Sequence, residues 1–378
     1  YGRVFDADGD EIEEEDLSSR PVDYQHVFQG NIDDCFRFGV KMTRKALKLY
    51  SDFYSSDLLI CSPLGLRLII DGHDDVDKKA NPDGADGVNG GKNRTKQQKK
   101  KSGKKADFDF LSSIQLLIID QANVIQMQNW EHLTHVIGHI NRVPKEPPVG
   151  CDFSRVMPVF LDGKANLYRQ NVIFSSFSFP ELNRLVKEHF VNTLGCVKVG
   201  NDDGKPLKLY KMKPIIHMIP LDDLKNETSA KLEYFEKHIL PDIKHHTIVV
   251  IPTYFEYLKL KEAIEKSMFD SLHDYSDHKE VTRARGRFYN GHVKMLFITE
   301  RFQFFHRIGM IKGVKRVVFY GMPLHDTIFH DFIQMVQKTL EIDGKKKAVP
   351  APVIVMSPLD IYKAKRCFDV EKVFGGEV

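Results

Sequence analysis

His132, His135 and His139 fall at i, i+3 and i+7, so one face of a helix would present three imidazoles, the beginning of a zinc-binding set. No cysteine or carboxylate at matching spacing completes it, and that face must also pack, so no metal is expected there or at His245-His246. Ser175 follows an apolar run but has no His and Asp in a nucleophile-elbow context, which leaves triad chemistry unsupported. Glycine-lysine pairs occur at 91-92, 103-104, 163-164, 204-205 and 344-345. None carries the Gly-x-x-x-x-Gly-Lys-[Ser/Thr] spacing that lets backbone amides cradle a phosphate. Arg283, Arg285 and Arg287 form the densest guanidinium cluster, suited to phosphate oxygens or an acidic partner, with a solvated face as the alternative.

Such groups act only where the fold holds them. Apolar residues from Phe36 to Tyr50 recur at near-helical spacing and predict a helix over 33–53, followed by a strand at 57–61. Leu116-Leu-Ile-Ile-Asp120 reads as a strand buried on both faces of a parallel sheet, with a helix after it. Residues 171–176 repeat the strand pattern, and a helix with Pro at its start runs from Pro180 to Val191. Beyond 212 the expected order is a helix (230–239), strand (247–251), helix (255–266), strands (294–299, 314–320), helix (327–340) and a last strand (353–356) with its helix. This alternation implies an α/β fold of two units with parallel sheets flanked by helices.

The 378 residues suit two to three compact units and exclude one small domain. With 42% hydrophobic and 28% charged residues the composition is ordinary, and no apolar run approaches the roughly 20 residues of a membrane helix. The formal charge is only +3, so attraction to nucleic acid must come from local clustering. Five scattered cysteines, none in a C-x-x-C pair, argue for a reducing compartment. The chain opens at Tyr1 with no targeting pattern, and reads as a piece of something longer. Residues 1–28 are expected to be an acidic flexible arm, 73–107 a disordered insertion with a basic second half that could address the nucleus or touch RNA, and 201–212 a linker. The two units are then 29–200 and 213–378.

Ligands of open parallel sheets bind beyond the carboxyl ends of the strands. Here those ends read Ser62-Pro-Leu-Gly-Leu66, Asp120-Gln-Ala-Asn123, Ser175-Ser-Phe177, Pro252-Thr253, Thr299-Glu-Arg301 and Gly321-Met-Pro323. Their order resembles the motif order of DEAD-box and related superfamily-two RNA helicases, most closely over Arg169–Asn192. More narrowly, the stretches 30–67, 107–132, 152–156 and 282–307 resemble the digestive organ expansion factor family, helicase-like proteins of the small-subunit processome.

The resemblance implies two RecA-like lobes, the first incomplete at its N-terminus and therefore bearing an unpaired sheet edge. It also implies a nucleolar role in pre-rRNA processing and small ribosomal subunit biogenesis, beside pre-ribosomal RNA and the box C/D small nucleolar ribonucleoprotein. It places Ser62, Gly65 and Arg67 of the first lobe, and Thr253, Arg283, Arg285, Arg287, Thr299 and Arg301 of the second, where such folds grip an RNA backbone. Each Ser-Pro or Pro-Thr pair reads equally as a helix cap. In an active helicase the Asp at position 120 would hold Mg²⁺ through water and a Glu beside it would accept a proton from the attacking water. Gln121 cannot accept that proton, a loss of about two to four orders of magnitude in rate. Asn123 removes a second carboxylate, and the place of the arginine fingers holds Leu324–Asp331, which has no arginine. His306-Arg307-Ile308-Gly309 spells most of that finger motif but lies before the strand 314–320, in the wrong order. The expectation is a catalytically degenerate docking scaffold that uses no cofactor. A divergent ATP-dependent helicase and an ATP-binding, non-hydrolysing switch remain the alternatives.

Overall fold

The computed structural model describes residues 17–30, 33–72, 108–144, 156–200, 213–221, 223–342 and 349–370. The expected insertion at 73–107 and linker at 201–212 lie outside the described residues. The chain divides into two compact units, one of Tyr1–Ser19 with Gln25–Lys198 and the other of Arg20–Tyr24 with Val199–Val378.

The first unit contains α1 (Val22–Phe28, shared with the second unit through its first residues), β1 (Arg37–Met42), β2 (Leu47–Ser51), β3 (Leu58–Cys61), α2 (Pro63–Ile70), β4 (Leu116–Ile119), α3 (Ala122–Ile137), α4 (Pro158–Leu161), β5 (Gln170–Ile173) and α5 (Pro180–His189). Three sequence expectations fail here, one of them the burial of β4 on both faces. The helix over 33–53 is an antiparallel hairpin, with Val40 opposite Leu49 and Met42 opposite Leu47. Phe36, Phe38, Val40 and Met42 alternate at period two, and the Thr43 hydroxyl, bonded to the Ala46 backbone, closes the turn. Residues 17–28, expected to be unstructured, carry a short 3₁₀ turn and α1.

Two sheets form among the described residues: the antiparallel β2-β1-β3 and the parallel pair β4-β5. β4 is buried on one face only, since Leu116 and Ile118 are 50% and 55% exposed. Ile69 and Ile70 of α2 and Val136 of α3 close with Phe110, Leu111 and Ile140 into the local core.

The second unit contains the expected elements and others besides: β6 (Ile215–Met218), α6 (Glu227–Tyr234), β7 (Thr247–Ile251), α7 (Tyr254–Ala263), β8 (Phe269–Leu272), α8 (His278–Tyr289), β9 (Met295–Thr299), α9 (Glu300–His306), β10 (Arg316–Phe319), α10 (Asp326–Ile342), β11 (Val353–Met356) and α11 (Ile361–Cys367). Of these, β6, β8, α8 and α9 are additions to the sequence expectation. Its six strands run parallel in the order β6-β11-β10-β7-β9-β8. Every residue of β7 and β9 is buried, as continuous apolar runs covered on both faces must be. On one face Val249, Ile251 and Phe297 pack with Phe235, Tyr257 and Leu260. On the other, Phe319 meets Phe329 of α10 at 4.8 Å. The chain leaves β7 towards β8 and leaves β10 towards β11, so the winding reverses between β7 and β10. That reversal opens the crevice where such sheets bind ligands.

Candidate nucleic-acid interface

The carboxyl ends of β7 and β9 are strand-to-helix turns, and the threonine hydroxyls found there are caps. Thr299 is 1% exposed and starts α9 by accepting a bond from the Phe302 amide at 3.3 Å, while donating to Asp274 at 3.2 Å. Exposed Thr253 starts α7, accepting from the Glu256 amide at 3.2 Å and donating to its carboxylate at 2.8 Å. Arg301 remains on the surface, 46% exposed, with Nε 3.5 Å from Asp274 and its guanidinium 5.5 Å from the Phe305 ring.

The predicted arginine cluster lies on α8, which begins with a reciprocal cap between Asp277 and Glu280. Arg283 and Arg287 share one stripe of that helix at i, i+4 spacing. Arg287 pairs with Asp270 at 3.3 Å, and Arg285 reaches the Met310 carbonyl at 3.2 Å, all three side chains remaining exposed. Burial raises the pKa of Asp270 even though Arg287 and Arg283 pull it down.

At the reversal between β7 and β10 the crevice is filled from within. Lys231 of α6, 4% exposed, places its ammonium 3.0 Å from Glu227, 3.2 Å from Asp360 and 3.7 Å from Glu256. Burial alone would lower its pKa, but those carboxylates more than offset it and the net direction is up. Asp360 also binds Lys363 at 2.9 Å. Gly321, two residues past β10, lies against this lysine: a Cβ there would lie 2.8 Å from the Pro252 side chain and 3.4 Å from the Lys231 ammonium. The partners of Lys231 are dispersed from 227 to 360, and no local pattern in the sequence foreshadowed the cluster.

Glu300 is the second feature the sequence concealed. Its buried carboxylate accepts the amides of Leu324 and His325 at 2.9 and 2.8 Å, clamping the turn that leads into α10. Burial pushes its pKa to about 7, against the opposing pull of those amides, Lys363 and Arg366. Downstream lies the stretch 324–331 without arginine. Arg307, which mimics a finger motif in sequence, is 6% exposed, sits at φ 37° and pairs with Asp331 and, at 2.9 Å, with Asp23. The segment supplying Asp23 is seated by Tyr24, whose hydroxyl donates to the Phe305 carbonyl at 2.7 Å. Arg20 donates to the His306 and Arg307 carbonyls at 3.0 and 2.8 Å.

In the first unit Ser62 is 6% exposed and caps α2 by accepting from the Gly65 amide at 2.9 Å. A Cβ on Gly65 would fall 2.8 Å from the Phe36 carbonyl, so the backbones meet closely there. Arg67 is engaged by Asp71 at 3.3 Å and by Nδ1 of His132 at 2.8 Å, and His135 reaches Asp71 at 3.1 Å. The histidine row of α3 thus braces α2. Burial, then Arg67, lowers the pKa of His132. Among the described residues no group of three or more His, Cys, Asp or Glu is arranged to hold a metal ion, and no helix is long and apolar enough to cross a membrane.

Asp120 and Gln121 are exposed at the end of β4, where the Gln121 amide donates to Asp120 at 2.9 Å and its backbone sits in the left-handed region at φ 49°. Asn123 is buried and accepts the Ser176 amide at 3.1 Å, joining the ends of β4 and β5. Buried Arg169 bonds Asn141 at 2.9 Å and Asn171 at 2.8 Å, and burial draws its pKa down to about 10.

Two family models match the chain: "UTP25, NTP hydrolase-like domain" over residues 2–84 and 92–197, and "Utp25, C-terminal domain" over 207–374. The U3 small nucleolar RNA-associated protein 25 of Chaetomium globosum is 34% identical over 373 residues, covering 94% of this chain and 47% of that protein. The Xenopus tropicalis homolog is 37% identical over 327 residues, covering 84% and 39%. The chain therefore spans about half the length of the curated relatives it matches, or less. A solved ATP-dependent RNA helicase from Sulfolobus tokodaii aligns at 16% identity and a TM-score of 0.31, covering 68% of this chain and 62% of that one.

Proposed function

The chain belongs to the Utp25 family, and from that premise we propose that it is a catalytically silent, helicase-like component of the small-subunit processome. Its two α/β units act as a docking scaffold for RNA and proteins during nucleolar pre-rRNA processing. Its partners on this reading are processome proteins, pre-ribosomal RNA and the box C/D small nucleolar ribonucleoprotein. The names of the relatives support the setting.

The observation that carries the loss of catalysis is Gln121, a neutral amide at the exposed end of β4 where proton acceptance needs a carboxylate. The second unit adds support. Arg307 is taken up by Asp23 and Asp331, and the crevice at the winding reversal holds the Lys231 ion-pair cluster. Outward-facing guanidiniums remain: Arg283, Arg285, Arg287 and Arg301 in the second unit, and partly exposed Arg67 in the first, suit phosphate oxygens without reading bases. Ser62 and Thr299 serve on this reading as caps that hold those arginines' helices.

The test is RNA-stimulated ATP turnover by the full-length protein, alone and as Gln121→Glu, together with mapping of its RNA crosslinks in cells. Absent turnover, with crosslinks at Arg67 and Arg283–Arg287, is the expected result. Turnover at ordinary helicase rates of about 1 s⁻¹ or more in the unmodified protein overturns the reading. Saturable nucleotide binding without turnover replaces the scaffold with a switch.

A further inference from the structure

Four aromatic rings converge where β7 and β8 end. Tyr254, the first residue of α7, lies 5.6 Å from Tyr257, 5.7 Å from His273 and 5.1 Å from Tyr275, and Tyr257 lies 4.9 Å from His273. The base of the cluster is fixed: Tyr257 is 1% exposed and its hydroxyl shares a hydrogen bond with Ser271 at 2.9 Å. The top is open, with Tyr275 73% exposed.

Tyr275 is exposed on a braced turn. Its amide donates to His273 Nδ1 at 3.2 Å, the His273 amide donates to the Ser276 hydroxyl at 3.0 Å, and the Ser276 amide returns to the His273 carbonyl at 2.9 Å. Tyr254 meets it edge-on at 76°. A large ring held in place towards water is pre-organised to accept a flat partner at little entropic cost.

Both signs of charge are exposed around the rings, Asp277 and Glu280 at the start of α8 and the cations Lys261 and Arg301. The neighbouring acids are engaged: the Asp274 side chain is 8% exposed and bonded to Thr299 and Arg301, Glu256 is 12% exposed beside Thr253 and Lys231, and Asp277 and Glu280 cap each other. The cations instead face aromatic surfaces, Lys261 5.7 Å from the Tyr257 ring and Arg301 5.5 Å from Phe305. Flat rings beside outward cations match the π-faces and phosphates of single-stranded nucleic acid.

We propose that Tyr275 and Tyr254 form a stacking platform for unpaired bases of single-stranded RNA, with Arg301 and Lys261 meeting the adjoining phosphates. This rests on the RNA-binding part of the function proposed above and adds to it a site that engages bases and a preference for unpaired strands.

The experiment measures fluorescence anisotropy of a labelled oligouridylate of about 16 nucleotides with the full-length protein. The same oligomer carrying abasic positions and a blunt RNA duplex serve as comparisons. Tyr275→Ala should weaken oligouridylate binding about 5- to 100-fold, Tyr275→Phe should retain it within about twofold, and the abasic oligomer should bind both the unmodified protein and Tyr275→Ala alike. Equal oligouridylate affinity for the unmodified protein and Tyr275→Ala overturns the platform. If Arg283→Ala with Arg287→Ala still weakens binding in that event, phosphate binding survives and only the stacking fails. If the unmodified protein binds no RNA, both fall. Loss of a bound protein on Tyr275→Ala, with RNA affinity unchanged, also overturns the proposal and makes this patch a protein contact.

Discussion

Replacing Glu300 by glutamine gives the sharpest test of how the second unit is held. The pKa of its carboxyl moves from 4.5 to about 7 on folding, driven by burial. Between those values the folded protein keeps a proton that the unfolded chain has released, so this group's stabilising contribution is full below about 4.5. It declines as pH rises towards 7 and is spent above it. At about 1.4 kcal/mol per pH unit, the span amounts to about 3 kcal/mol. Half-buried histidines act in the opposite sense. His217 and His273 have lowered pKa values, from burial first, and their contribution is lost as pH falls below 6.5. Only the difference between unmodified protein and Glu300→Gln therefore isolates the carboxyl. The assay is urea unfolding from about pH 4.5 to about pH 8, followed by far-ultraviolet circular dichroism because the single tryptophan, Trp130, reports on the first unit. The introduced amide cannot ionise, so the stability gap should shift in favour of Glu300→Gln by about 3 kcal/mol across that range. Parallel pH profiles for the two proteins would refute the assigned burial and clamp.

Lys231→Met leaves Glu227, Glu256 and Asp360 facing one another without their common cation, and should cost about 3–5 kcal/mol, seen as a lowered thermal midpoint. Gly321→Ala drives a methyl to 2.8 Å from Pro252 and should cost about 1–3 kcal/mol in urea unfolding. Gln121→Gly relieves a left-handed backbone at an exposed site, and its stability in the same assay should rise by up to about 1 kcal/mol or stay level; a clear loss would mean that the side chain has a structural role.

The second unit was legible where its strands are continuous apolar runs, as in β7, β9 and β11. What escaped is instructive. β8, Phe269-Asp-Ser-Leu272, carries two apolar residues at its ends, and as an edge strand pairs only with β9. α8 looks polar throughout because its buried side needs only Ala284 and Phe288, one turn apart. The 33–53 error arose where helical and alternating spacing coexist; cross-strand pairing of β1 with β3, which no local window contains, decided the outcome. At the site, Thr253 and Thr299 were visible as residue types, with capping an open reading for Thr253 and not for Thr299. Apart from the i, i+4 pair Glu227–Lys231, the Lys231 cluster and the Glu300 clamp join residues about 25 to 130 positions apart, beyond the reach of any periodicity argument.

Arg20–Tyr24 belong in space to the second unit although about 175 residues separate them from the rest of it. During synthesis they emerge 281 to 287 residues ahead of Phe305, His306 and Arg307, the groups they dock against. This corner of the molecule can therefore close only once Arg307 has been made, and closing it ties off a loop of 281 to 287 residues. A second unit produced from residue 199 onward would leave the Arg307 guanidinium with Asp331 but without its other carboxylate, exposing a positive charge that the intact chain conceals.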